Sequence, residues 1–290
     1  MPTCRRGPRS QAKPSDGGSS WPLRRSTRLG GVLGRPLHLV TRDHRGNPAR
    51  GIDNIADFAR MENLVAVVGG LHTPVALAEL ETIHRHRIIY LDPWAAGTPV
   101  IANGYAPNYA FRVSVRDEYA GEFLINEAIQ MGYRRPGLLL EQTGWGRSNE
   151  KAMSAALGAH SLTPAGVQWF NWGVSDMTDL LDALAAAGAD VVMLVANAPE
   201  GTVAVRSMAT RPAEQRLPII SHWGITGGQF FEKTAESLAQ VELVFLQTFS
   251  FFAPPISRSG EASSRCLLHE IPALSVLQRH LLTGRNCPCV

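Results

Sequence analysis

Two stretches constrain what this chain can fold into more than any others: LVAVVGGLHTPVALA at 64–78 and RIIYLDPWAAGT at 87–98. In each, an apolar, β-branched run stops abruptly at small and hydroxyl residues, and the first passes straight into a helical pattern. A run that is apolar on both faces is a buried parallel strand, and the small residues that follow form the loop at its carboxyl end. Ligands bind at such loops in open α/β sheets. The pattern recurs three more times downstream, so the spacing predicts an α/β protein in two parts, with parallel sheets flanked by helices.

Along the chain, 36–42 alternates as a strand, 43–51 is a turn, and 52–62 is an amphipathic helix with Ile55, Phe58 and Ala59 on one face. A helix over 74–86, a strand over 87–91 and a strand over 109–114 complete the first half. A helix over 117–131 closes at Gly132. A second series then runs as strand 136–141, loop 142–147, helix 148–159, strand 166–171, helix 176–187 and strand 190–196. It ends with a short helix from Glu200, strand 217–221, helix 229–239 and strand 244–250. The expected organisation is a disordered basic head at 1–29, a first ligand-binding lobe at 30–116, a second at 117–250, and an irregular tail at 251–290 with weak helical character around 273–282.

A length of 290 residues suffices for two lobes with sizeable cores. The net charge of +3 conceals an asymmetry: residues 1–29 hold seven basic residues against Asp16, a balance of +6, which leaves the remainder at −3. The body is therefore mildly acidic and lacks the basic face that a nucleic-acid surface needs. Cys4 lies in the head, and Cys266, Cys287 and Cys289 lie in the last 25 residues, so nothing between them relies on a disulfide. The Cys287-Pro-Cys289 spacing is not that of a zinc knuckle. Asp190 interrupts the longest apolar run, which is too short to span a bilayer. No apolar core of a signal peptide follows the basic start.

Catalytic motifs are missing: there is no G-x-S-x-G, no H-E-x-x-H and no Walker A run. Asp92 and Glu141 end strands in different halves, and nothing in the sequence activates them as an acid–base pair. His84 and His86 are two residues apart on a helix, so they face apart and read as a solvated helix end. Trp169 and Trp172 read as core or strand-edge residues.

Several segments, in order, resemble the type I periplasmic binding protein superfamily, in the branch of leucine-binding proteins of ABC transporters. They are GGVLGRPLHLV at 30–40, LVAVVGGLHTPVALA at 64–78, DPWAAGTP at 92–99, FRVSVRDEYAG at 111–121, LLLEQTGWGRSNEKAM at 138–153 and ADVVMLVANAPEG at 189–201. The resemblance implies two α/β lobes that close on a solute without performing chemistry. It implies no cofactor or metal, ABC permease subunits as partners, a monomer, and a periplasmic location. It places His72 and Thr73 in the loop that holds a ligand carboxylate, and Ala95, Ala96 and Thr98 in a second contact loop. Trp145 falls at an aromatic lid, Asn197 or Ala198 near a second aromatic position, and His222 and Trp223 near an acidic one. The physics of the first loop agrees, since Gly69 and Gly70 permit close backbone approach and a helix N-terminus with Thr73 suits a carboxylate.

Two departures modify these expectations. Leucine-type binders place a carboxylate for the ammonium where this chain has Ser221-His222-Trp223-Gly224, and an ammonium buried without a counter-charge is costly. The expected solute is therefore amino-acid-like, an amide or a carboxylate. Residues 1–29 and 253–290 also fit neither the family's first strand nor its returning segment, so lobe one is expected to be incomplete. The alternatives are a cytoplasmic ligand-sensing regulator of the same fold or a non-functional truncated binding protein.

Overall fold

The structure, a computed structural model, describes residues 31–247 and the strand Leu277–Arg279. The expected basic head, the four cysteines and the rest of the tail lie outside the described residues.

The second sheet carries most of the core. Strands β4 (Pro136–Glu141), β5 (Gly166–Phe170), β6 (Val191–Val195), β7 (Ile219–Ser221), β8 (Leu243–Leu246) and β9 (Leu277–Arg279) pair in the order β5-β4-β6-β7-β8-β9. All pairs are parallel except β8 with β9. Side chains alternate between the faces of a strand, so Leu139, Val192, Leu194, Ile219 and Phe245 face one way. They pack on helices α5 (Thr178–Ala186), α6 (Ala198–Thr210) and α7 (Phe230–Leu238). Leu138, Leu140, Val191, Met193, Val195 and Ile220 face the other way, onto α3 (Asp117–Gln130) and α4 (Gly144–Ala159). Burial on both faces explains why these strands read as continuous apolar runs. Each fully buried Leu or Val contributes roughly 2 kcal/mol over exposure.

The first sheet is smaller. β1 (Val67–Val68), β2 (Tyr90–Asp92) and β3 (Ala110–Arg112) are parallel and pair in sequence order. Val67, Tyr90 and Ala110 pack on Ile55 of α1 (Pro48–Ala59) and on Leu80 and Ile83 of α2 (Thr73–Arg85). On the opposite face, Val68, Leu91 and Phe111 are 52%, 37% and 51% exposed. Among the described residues the first sheet thus has three strands and one exposed face.

The strand expected at 36–42 does not form. Leu39 and Val40 are exposed, and β1 is an edge of its sheet among the described residues, with no strand beyond it. Alternation marks a segment that suits a half-buried sheet, but ladder bonds from a neighbour make it a strand. α1 starts at Pro48 inside the expected turn, because Asn47 Oδ1 accepts from the N–H of Ala49 (2.9 Å) and Arg50 (3.3 Å). α4 likewise starts four residues early, capped by Thr143. Leu277–Arg279, expected to be weakly helical, extends the second sheet instead.

Candidate functional site

The carboxyl ends of the parallel strands of both lobes face one cleft. From the first lobe, β1 runs into Gly69 and Gly70, and α2 begins with His72 as its N-cap and Thr73 as its first residue. Gly70 has a φ of +77°, and a Cβ there would lie 2.3 Å from the Asp92 carboxylate, so only glycine suits the position. The close approach lets the Ala95 N–H donate to the Gly70 carbonyl at 2.6 Å, and the Gly97 N–H donates to Thr73 Oγ1 at 3.2 Å. These bonds join the two loops into one wall.

Asp92, at the end of β2, shapes the second loop from beneath. Its Oδ1 accepts from the N–H of Trp94 (3.0 Å) and Ala95 (2.9 Å). Arg112 donates from Nη1 to the carbonyls of Ala95 (3.3 Å) and Gly97 (2.9 Å). Burial pushes the Asp92 carboxyl up to about 7, opposed by those two N–H groups and by Arg112.

The second lobe presents Glu141, Trp145, Trp172, Asn197 and Trp223 to the same cleft. Glu141 ends β4 and is fully buried. Its Oε1 accepts from the Thr143 hydroxyl (2.6 Å), and its Oε2 accepts from Trp172 Nε1 (3.0 Å) and Asn197 Nδ2 (3.3 Å). Burial pushes its carboxyl up to about 7 against these donors, and neighbouring Glu200 pushes the same way. The Trp145 indole N–H is held by Asp117 Oδ1 at 2.9 Å. Burial takes the Asp117 carboxyl up to about 6.

The lobes meet along the rim. The Thr98 N–H donates to Ser148 Oγ at 3.3 Å, and the rings of His72 and Trp172 lie 5.3 Å apart across the cleft. Burial, with His44 nearby, lowers the His72 pKa to about 4, so this ring is neutral at pH 7.

The residues singled out from sequence divide in two. His72, Thr73, Ala95, Ala96, Trp145, Asn197 and Trp223 line the cleft. Thr98 instead sits at the rim, where its N–H bridges to Ser148. His222 lies behind the wall, fully buried, with its ring 5.7 Å from Trp145 and 5.4 Å from Trp223. Neither of its ring nitrogens has a partner, and burial drives its pKa down to about 3. Sequence reasoning missed Trp94, Glu141 and Trp172, which also line the cleft. The only signal for Glu141 was its place at the end of a buried strand. His84, expected on a solvated helix end, is instead buried between the Leu80 carbonyl (2.7 Å) and Asn108 Oδ1 (3.0 Å). No cluster of three or more metal-ligating side chains occurs among the described residues.

One family model, described as "Periplasmic binding protein", matches residues 7–230. The match takes in residues 7–29, which the sequence resemblance left outside. The chain is 24% identical over 182 residues to Leu/Ile/Val-binding protein homolog 3 of Brucella melitensis, covering 62% of this chain and 49% of that protein. Among solved structures, a type 1 periplasmic binding protein from Bordetella pertussis superposes with a TM-score of 0.70 at 20% identity, over 80% of this chain and 63% of that one. The branched-chain amino acid transporter substrate-binding protein LivJ from Streptococcus pneumoniae, solved with isoleucine, gives a TM-score of 0.71 at 16% identity. That match covers 86% of this chain and 69% of LivJ. The chain thus spans about half the length of the curated relative it matches.

Proposed function

We propose that this chain, which belongs to the periplasmic binding protein family, is a solute receptor that takes a small molecule between its lobes and serves an ABC importer. The observation that carries this reading is the cleft itself. Strand ends, the amino end of α2 and four tryptophans of two lobes converge there, with Thr98 and Ser148 bonded across the rim. Such a cleft acts by population shift: a solute that touches both walls favours the closed arrangement by its differential contacts. The amino end of α2 suits an anionic or carbonyl end of an amino-acid-like, amide or carboxylate solute. The second lobe supplies three of the four aromatic side chains, Trp145, Trp172 and Trp223, and the first lobe supplies Trp94.

In this reading the protein works as a monomer in the periplasm, beside the permease subunits that receive the solute, and turns nothing over. No helix of the described residues is long and apolar enough to cross a membrane.

A thermal-shift screen against amino acids, amides and small carboxylates tests the proposal. A solute that binds only the native state raises the melting temperature by mass action. The expected result is a specific rise that Thr73→Ala and Trp145→Ala diminish. A cooperative melt that no solute in the panel moves would overturn it.

A further inference from the structure

We propose that the solute carries a trimethylammonium group, held among the tryptophans of the cleft with Glu141 as its counter-charge. This deepens the solute-receptor reading and rests on it.

Charge is the first argument. Among the described residues Glu141 is the one carboxylate lining the cleft and no lysine or arginine lines it, and His72 is neutral. A second buried carboxylate, Glu200, stands close enough to act on Glu141 and accepts the Gly173 N–H at 3.1 Å. Neither glutamate forms an ion pair among the described residues. Buried carboxylates without a cation are costly, and a cationic solute relieves that cost.

Hydrogen-bonding capacity is the second. A carboxylate offers about four acceptor positions, and Glu141 already receives bonds from Thr143, Trp172 and Asn197. A primary ammonium brings three N–H donors that this carboxylate cannot satisfy. A quaternary ammonium brings none and needs only charge and contact.

The wall composition is the third. Trp94, Trp145, Trp172 and Trp223 all line the cleft. The indole N–H groups of Trp145 and Trp172 are already committed to Asp117 and Glu141, so these rings have only carbon and π surface left to offer. Aromatic cages of this composition attract quaternary ammonium ions electrostatically.

The test compares matched solutes on the full chain by thermal shift and by titration of tryptophan fluorescence. Glycine betaine is set against glycine and against 3,3-dimethylbutanoate, its uncharged-head isostere. Choline is set against ethanolamine and 3,3-dimethylbutan-1-ol. The expected result is saturable binding of betaine or choline at least about tenfold tighter than either control, a factor within the range of desolvated cation–π contacts. Trp172→Leu and Glu141→Gln would each weaken it, and the wild-type isostere comparison stands even if a variant fails to fold. Preference for betaine over choline would assign a carboxylate to the amino end of α2, and the reverse an alcohol. Equal binding of the dimethylbutyl isosteres, or preference for glycine, ethanolamine or leucine, would overturn the inference while leaving the solute receptor standing. No binding of any solute, carboxylates and amides included, would overturn both.

Discussion

Trp145 and Asp117 tie the cleft wall to the crossover between the lobes: the indole N–H donates to Asp117 Oδ1 at 2.9 Å, while the Asp117 N–H donates to the Ala96 carbonyl at 3.0 Å. One residue thus holds an aromatic wall of the second lobe and a contact loop of the first. Trp145→Phe keeps the ring but removes the donor, leaving a buried carboxylate oxygen short of a partner. The expected loss is about 1–3 kcal/mol in urea-unfolding free energy. A change within error would show that this bond does not hold the wall.

Asp92 contributes to how stability responds to pH. Its folded pKa of about 7 lies above the ordinary value of 3.8. The folded state therefore holds a proton that the unfolded chain releases, and the associated stability is present below about pH 4 and lost as pH rises through 7. Asp92→Asn mimics the protonated acid. The expected outcome is a smaller fall in unfolding free energy between pH 5 and pH 8 than in the wild type, measured by chemical denaturation in matched buffers. An identical slope would refute this role.

Gly146 admits no side chain. A Cβ there would sit 1.8 Å from the Glu141 carbonyl oxygen, which belongs to β4 and cannot retreat without breaking the sheet. Gly146→Ala is expected to cost on the order of 3 kcal/mol or more. A melting temperature within a degree of the wild type would contradict the close approach of α4 to β4.

His222 is a polar ring in an apolar place. With both nitrogens unpartnered, replacement by an apolar side chain of similar size removes a desolvation cost, so His222→Phe is expected to stabilise by about 1 kcal/mol. Its pKa also falls from 6.5 to about 3 on folding. Wild-type stability contributed through this group is present above about pH 6.5 and lost as pH falls toward 3. The variant should lack that acid limb, which melts at pH 7 and pH 4.5 would reveal. A destabilised variant with the limb intact would instead mean that the ring has an essential partner.

The second lobe was legible because its strands are buried on both faces: LLL at 138–140 and VVMLV at 191–195 have no other comfortable place in a soluble fold. The segment at 36–42 misled because alternation records only a surface preference, while a strand also needs a neighbour. The start of α4 was hidden because Gly144-Trp145-Gly146 has poor helix propensity and reads as loop, although the Thr143 cap that offsets it is local in sequence. Of the cleft, the loop at 69–73 was readable from its glycines and its passage into a helix. Glu141 and Trp172 were not, because 31 positions separate them and only the pairing of β4 with β5 brings the indole to the carboxylate.

The bond from Thr98 to Ser148 and the meeting of His72 with Trp172 have a temporal meaning. On the proposed receptor reading, a molecule enclosed behind them leaves only after the rim has parted, so its residence time is set by how often the rim opens and not by diffusion out of an open bowl. Solutes that differ in their contacts with the inner wall would then differ in how strongly they delay that opening. Relaxation after rapid dilution would follow one exponential for each solute, its rate bounded above by the opening frequency of the empty protein.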